Sequence, residues 1–125
     1  MAFSNQALQA LEGFAASLQL PLTPAADGSY SFVFERSGTL TLTSTDDGQR
    51  TLLSLAARPH RLDEEIEQRL LALAGPDFTS ERFLSTGLTR DGEAMFVVSI
   101  DDSEISLPTL ETCMQQLFAA RSAIA

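Results

Sequence analysis

The chain has 125 residues, 44% of them hydrophobic and 20% charged, and carries a formal net charge of −9 at pH 7. That length holds one domain around one core, whereas two domains would leave neither a core, so a single domain over residues 1–125 is expected. The composition is that of a globular chain, no run approaches the roughly 18 apolar residues of a membrane span, and so acidic a field repels phosphate backbones and anionic lipid; nucleic-acid and membrane binding are therefore excluded from the expected functions.

The acidity is lopsided. Up to Arg61 five acids face four arginines, from Leu62 onward twelve face four, and there is no lysine. No basic residue precedes Arg36, and Ser4, Asn5, Gln6, Gln9 and Glu12 interrupt the first apolar residues, so the amino terminus does not read as a secretory signal and a cytoplasmic location is expected. Cys113 is the only cysteine and cannot form an intrachain disulfide, which is compatible with a reducing compartment.

In chain order, the first predicted helix starts near Ser4, a good N-cap, and ends at Leu18. Leu8, Leu11, Ala15 and Leu18 form one stripe, and Phe3, Ala7, Ala10 and Phe14 form a second beside it. So broad an apolar face has two uses: both stripes enter the core, or the second faces a partner. Gly13, inside this helix, costs about 1 kcal/mol relative to Ala, and close backbone packing is the simplest reason for it.

Leu20, Pro21 and Leu22 follow the helix, and three short runs of period two come next: Tyr30, Phe32 and Phe34; Leu40 and Leu42; Leu53, Leu55 and Ala57. Ser37-Gly38 and Asp46-Asp47-Gly48 punctuate them, which predicts a three-stranded antiparallel meander.

A second helix is expected between Leu62 and Ala74. Asp63, Glu64 and Glu65 suit its positive end, Gly75-Pro76 stops it, Ile66, Leu70 and Leu73 make its main stripe, and Leu71 and Ala74 widen it. Two strands, about Arg82–Thr89 and Glu93–Asp101, flank the hairpin signal Asp91-Gly92. Ala94, Phe96, Val98 and Ile100 share one face of the last strand while Met95 and Val97 lie on the other, so it belongs in the sheet centre or under a neighbouring subunit. A last helix begins near Ser106, tolerates Pro108 in its first turn, and aligns Leu110, Cys113, Met114, Leu117, Phe118 and Ile124. The order αβββαββα predicts an α+β fold with a twisted antiparallel sheet packed against helices.

Little of this carries chemistry. The P-loop, dinucleotide fingerprint, zinc-protease helix, paired-cysteine zinc spacing and nucleophile elbow are all missing, so no cofactor is implied. His60, between Pro59 and Arg61, reads as a solvated loop histidine, and Cys113 reads as core packing. Asp101, Asp102 and Glu104 lack the spacing of a calcium loop, and Asp46-Asp47-Gly48 is a turn before it is a metal site. With no catalytic constellation and excess apolar surface, the chain reads as a binding module, and an enzyme using His60 is a distant alternative.

Two apolar sets exceed what one small core needs. Phe3, Phe14, Val33 and Leu52 are expected to line a partner-facing groove, Val33 and Leu52 because they point opposite the core sets of their strands. Ile66, Leu70, Leu73, Met95 and Val97 are expected at a two-fold homodimer interface.

Along nearly its whole length the chain resembles the class I type III secretion chaperones of Gram-negative bacteria. The likeness rests on the amphipathic first helix ending in Leu18, Leu20, Pro21 and Leu22, the turn at Asp27-Gly28 before Tyr30, Phe32 and Phe34, the Leu40/Leu42 and Leu52 to Ala57 strands, and the helix with Leu70, Leu71 and Leu73. The resemblance implies a homodimer that binds the amino-terminal segment of a cognate effector in extended form through apolar anchors and strand pairing, keeps it soluble and export-competent, and presents it to the secretion apparatus, its ATPase among the partners. It implies no covalent chemistry and no nucleotide hydrolysis. The rival reading is a dimeric adaptor of similar topology that regulates a partner unrelated to secretion.

Overall fold

The computed structural model describes residues 3–22, 24–45, 47–76 and 82–124. Its elements are α1 (Asn5–Leu18), β1 (Tyr30–Phe34), β2 (Gly38–Ser44), β3 (Arg50–Ala57), α2 (Glu64–Leu73), β4 (Gly75–Pro76), β5 (Phe83–Leu88), β6 (Ala94–Asp101), a 3-10 turn at Asp102–Glu104, and α3 (Leu107–Ile124).

Ser4 and Ser106 start their helices as expected, and Asp63, expected within the first turn of the second helix, is its N-cap. Ser4 Oγ accepts from the Ala7 amide at 3.1 Å, Asp63 accepts from the Ile66 amide at 2.9 Å, and Ser106 Oγ accepts from the Thr109 amide at 3.3 Å. At the end of α1, Gln19 takes the left-handed conformation, and the Gln19 and Leu20 amides donate back to the Ala16 and Ala15 carbonyls, both at 3.1 Å. One element differs from expectation: Gly75-Pro76 does not simply stop α2 but forms a two-residue strand paired with Leu84 and Phe83. So short a strand has no periodicity to read in the sequence.

The strands form one antiparallel sheet in the order β1-β2-β3-β6-β5-β4. The doubly apolar β6 lies inside it, between β3 and β5, with Leu53 opposite Val98 and Leu55 opposite Phe96. Gly38 enters β2 at a φ of 111°, and a Cβ there would collide with the Ala56 carbonyl oxygen across the ladder, so the turn into β2 requires glycine. Of the next turn, Asp46 lies outside the described residues; Gly48 donates to the Thr45 carbonyl at 2.9 Å.

Alternate residues of every long strand point to one buried face: Phe32, Leu40, Leu42, Leu53, Leu55, Ala57, Leu84, Ala94, Phe96, Val98 and Ile100. All three helices cover that face. Phe14 of α1 meets Phe32 edge-on at 5.8 Å, Phe118 of α3 meets Phe34 edge-on at 5.3 Å, and Thr86 Oγ1, on the covered side of β5, donates to the α2 carbonyl of Leu70 at 2.8 Å. Ser4 Oγ also donates to Asp102 Oδ1 at 2.6 Å, tying the start of α1 to the turn before α3.

Packed against both the sheet and α3, helix α1 buries two sides rather than one, and this resolves its breadth. Leu11 and Ala15 of the first stripe and Phe3, Ala7, Ala10 and Phe14 of the second all lie in the subunit core. Gly13 is not held by a tight approach: a Cβ there would sit 3.6 Å from Leu107 Cδ2, an ordinary contact. Gly13→Ala should therefore stabilise the protein by about 1 kcal/mol through helix propensity, raising the thermal midpoint. A lowered midpoint would show that α1 and α3 do need the glycine.

Candidate protein-binding surfaces

With the helices all on one side, the other side of the sheet is open. Val33 pairs with Thr39, Thr39 with Ala56, Ala56 with Met95 and Met95 with Gly87, so one cross-strand row runs from β1 to β5. Ser31, Thr41, Ser54, Val97 and Ser85 form the next row, and Thr43, Leu52 and Ser99 a third. These rows contain no charged side chain. Charge enters at the margin, where Arg50 pairs with Asp101 at 3.2 Å and donates to Ser99 Oγ at 2.7 Å. Val33 is 73% exposed, and Leu52, Met95 and Val97 are half-buried.

The groove expected to hold Phe3, Phe14, Val33 and Leu52 is thus divided. Val33 and Leu52 share the open face, whereas Phe14 is 0% exposed and Phe3 is buried against Tyr30, with ring centres 5.6 Å apart. Both phenylalanines belong to the core because α1 lies flat on the opposite face of the sheet.

The expected dimer residues divide as well. Ile66 and Leu70 are buried inside the subunit, and Leu73 packs half-buried against the core, because this arc of α2 faces β5 and α3. Met95 and Val97 are on the open side. The exposed apolar residues near α2 and β5 are others: Leu71 at 73%, Phe83 at 62% and Leu88 at 41%, with Leu62 exposed just before α2. Leu71 and Leu88 line a groove of about 290 Å³ with Glu67, Leu70, Thr86 and Gly87. The sequence signal for Leu71 was its place beside the main α2 stripe; periodicity marks an apolar arc but not which part of it a neighbour covers.

No group of acidic, histidine or cysteine side chains able to hold a metal occurs among the described residues. The acidic turn before α3 is shared out instead: Asp101 pairs with Arg50, Asp102 accepts from Ser4, and Glu104 pairs with Arg82 at 3.1 Å. Arg61, just before α2, and Arg69, on it, pair with Glu65 at 3.0 and 2.8 Å in exposed contacts that contribute little to stability. Cys113 is buried, and burial pushes its thiol pKa up, so it stays a thiol. His60 is exposed in the loop after β3. No helix among the described residues is long and apolar enough to cross a membrane.

The chain belongs to the family of the type III secretory system chaperone SycN, whose model matches residues 8–125. It is accordingly a type III secretion chaperone and not an enzyme. No curated protein matches it. Among solved structures, it is similar to a chain of the HopA1–SchA chaperone–effector complex, with 26% identity and a TM-score of 0.72 over 92% of this chain and 89% of that one. A chain of the Yersinia pestis type III secretion chaperone SycH in complex with a YscM2 fragment shares the fold at 13% identity, with a TM-score of 0.71 over 94% and 98% of the two chains. So does a chain of the ExsC–ExsE complex, at 20% identity with a TM-score of 0.73 over 97% and 92%.

Two substitutions separate core from surface. Phe14→Asp should unfold the protein or cost at least about 3 kcal/mol, since it removes a core ring and buries a carboxylate. Val33→Asp should cost about 1 kcal/mol or less. Urea melts of the two variants decide: equal losses would contradict the placement of these residues.

Proposed function

We propose that the protein acts as a homodimeric, single-domain chaperone in the bacterial cytoplasm, holding the amino-terminal segment of a type III effector in extended form and handing it to the secretion apparatus, with the apparatus ATPase as receiving partner. Family membership and the likeness to a chain of a chaperone–effector complex support the effector as client. The observation that carries the extended-segment reading is the uncharged open face beside the edge strand β1. Beyond a single bridge between Pro24 and Tyr30, no strand among the described residues pairs with the outer edge of β1. An added client strand gains backbone hydrogen bonds there, and apolar side chains reaching over Val33 and Leu52 supply selectivity.

Self-association fits the opposite margin of the sheet. β4 pairs with only two residues of β5, so that among the described residues Ser85 to Leu88 have no strand partner on that side, and Leu71, Phe83 and Leu88 are exposed around it. Ser85 and Gly87 stand opposite Val97 and Met95, so their small side chains leave those two residues open to a subunit wrapped around the edge. An exposed apolar strand edge of this kind is normally covered.

Leu71→Asp should convert a dimer to a monomer in light scattering while leaving the melt of the fold intact, because Leu71 is an exposed helix residue in each subunit. Val33→Asp should leave the dimer and weaken co-purification of the effector amino terminus by at least about tenfold, the loss of one apolar anchor. A wild-type monomer at tens of micromolar, a range corresponding to only about 6 to 7 kcal/mol of association, would contradict the dimer. Undiminished effector capture by Val33→Asp would contradict the open-face site.

A further inference from the structure

One recess is cationic in an otherwise acidic chain. At the carboxyl-terminal end of β3, Ala57, Arg58, Pro59 and His60 meet Arg121 and Ile124 of α3 around a cavity of about 10 Å³. Arg121 Nε is buried without a hydrogen-bond partner among the described residues. Arg58 donates Nη1 to the Asp91 carbonyl at 2.8 Å, a neutral acceptor that leaves its charge uncompensated. Arg50, Arg61, Arg69 and Arg82 each pair with a carboxylate, whereas no ion pair among the described residues includes Arg58 or Arg121, nor the exposed Arg36 and Arg90. The dipole of α3 favours a cation in its last turn, which accounts for the charge of Arg121 but not for an unsatisfied buried Nε–H.

We propose that this recess accepts one carboxylate oxygen of an acidic side chain on the bound polypeptide, with Arg121 Nε as anchoring donor and Arg58 and His60 at the rim. A charged acceptor makes the strongest hydrogen bond a guanidinium can form, and an imidazole offers an N–H in every protonation state. The cavity holds about one water-sized sphere, room for a single oxygen, so a carboxylate inserts one oxygen and leaves the other at the mouth. Ala57, Pro59 and Ile124 then flank its methylene stem. That the carboxylate comes from a client rests on the chaperone function proposed above; the anion site itself does not.

The two parts are tested separately. In the free protein, the Arg121 Nε–H resonance is followed by nitrogen-15 NMR during titration with sodium acetate, against sodium chloride at matched ionic strength. A saturable shift with acetate alone, weakened a few-fold in the exposed variant Arg58→Gln, is the expected result. No saturable shift, the same saturation in Arg58→Gln as in wild type, or an Nε–H that contacts only a bound water overturns the anion site. In the purified chaperone–client complex the resonance should already lie at its acetate-bound position and ignore added acetate. A continued response to acetate would overturn the assignment to a client side chain while leaving the chaperone function standing.

Discussion

A six-stranded antiparallel sheet has two faces to cover, and the three helices of this chain all lie on one of them. The register decides which side chains each face receives, because in a strand every second residue changes side. On the covered face the alternate positions are mainly leucine, phenylalanine, valine, isoleucine and alanine, with Thr51 and Thr86 among them, and they interlock with the two buried sides of α1 and with the Leu110, Cys113, Leu117 and Ile124 arc of α3. The positions between them are mainly serine and threonine, with Val33, Leu52, Ala56, Met95 and Val97 set among them. The division between interior and binding surface is thus built into the pleat.

An open face of this composition suits a polypeptide partner. Hydroxyl side chains keep it wettable, yet covering it strips no buried charge of water, so the desolvation cost that burdens ionic interfaces is small. The acidic excess sits elsewhere, on α2 and on the turn before α3, where Arg61, Arg69, Arg82 and Arg50 partly neutralise it. The two ends of the sheet differ in kind. β1 offers a backbone edge beside exposed Val33, which favours an added strand, and the β5 margin offers Leu71, Phe83 and Leu88 around a groove, which favours packing of side chains.

Much of this was legible in the sequence. The alternation of Tyr30, Phe32 and Phe34, of Leu40 and Leu42, and of Leu53, Leu55 and Ala57, with glycine at the turns, marked the meander, and the doubly apolar run from Ala94 to Ile100 marked an inner strand. The N-caps Ser4 and Ser106 marked two helix starts, and the acidic run Asp63, Glu64 and Glu65 marked the positive end of the other helix. What the pattern could not contain was which neighbour each apolar arc meets. The breadth of the α1 face leaves Phe3 and Phe14 free to meet core or partner until α1 is seen packed beside α3 on the covered face of the sheet, and the apolar arc of α2 does not show that Ile66 and Leu70 are covered while Leu71 is not until β5 and α3 are seen against one part of it. Of the expected partner-facing set, Val33 and Leu52 lie on the open face for a simpler reason: strand parity alone assigns a side once the core set is known.

The account stands or falls on where a client touches the molecule. Hydrogen–deuterium exchange of the chaperone, free and bound to the amino-terminal segment of its effector, measures this residue by residue. Slowed exchange concentrated in β1 from Ser31 to Phe34, with the α1 amides unchanged, is the predicted result. Slowed exchange confined to the solvent side of α1 or α3, with β1 unaffected, would contradict it.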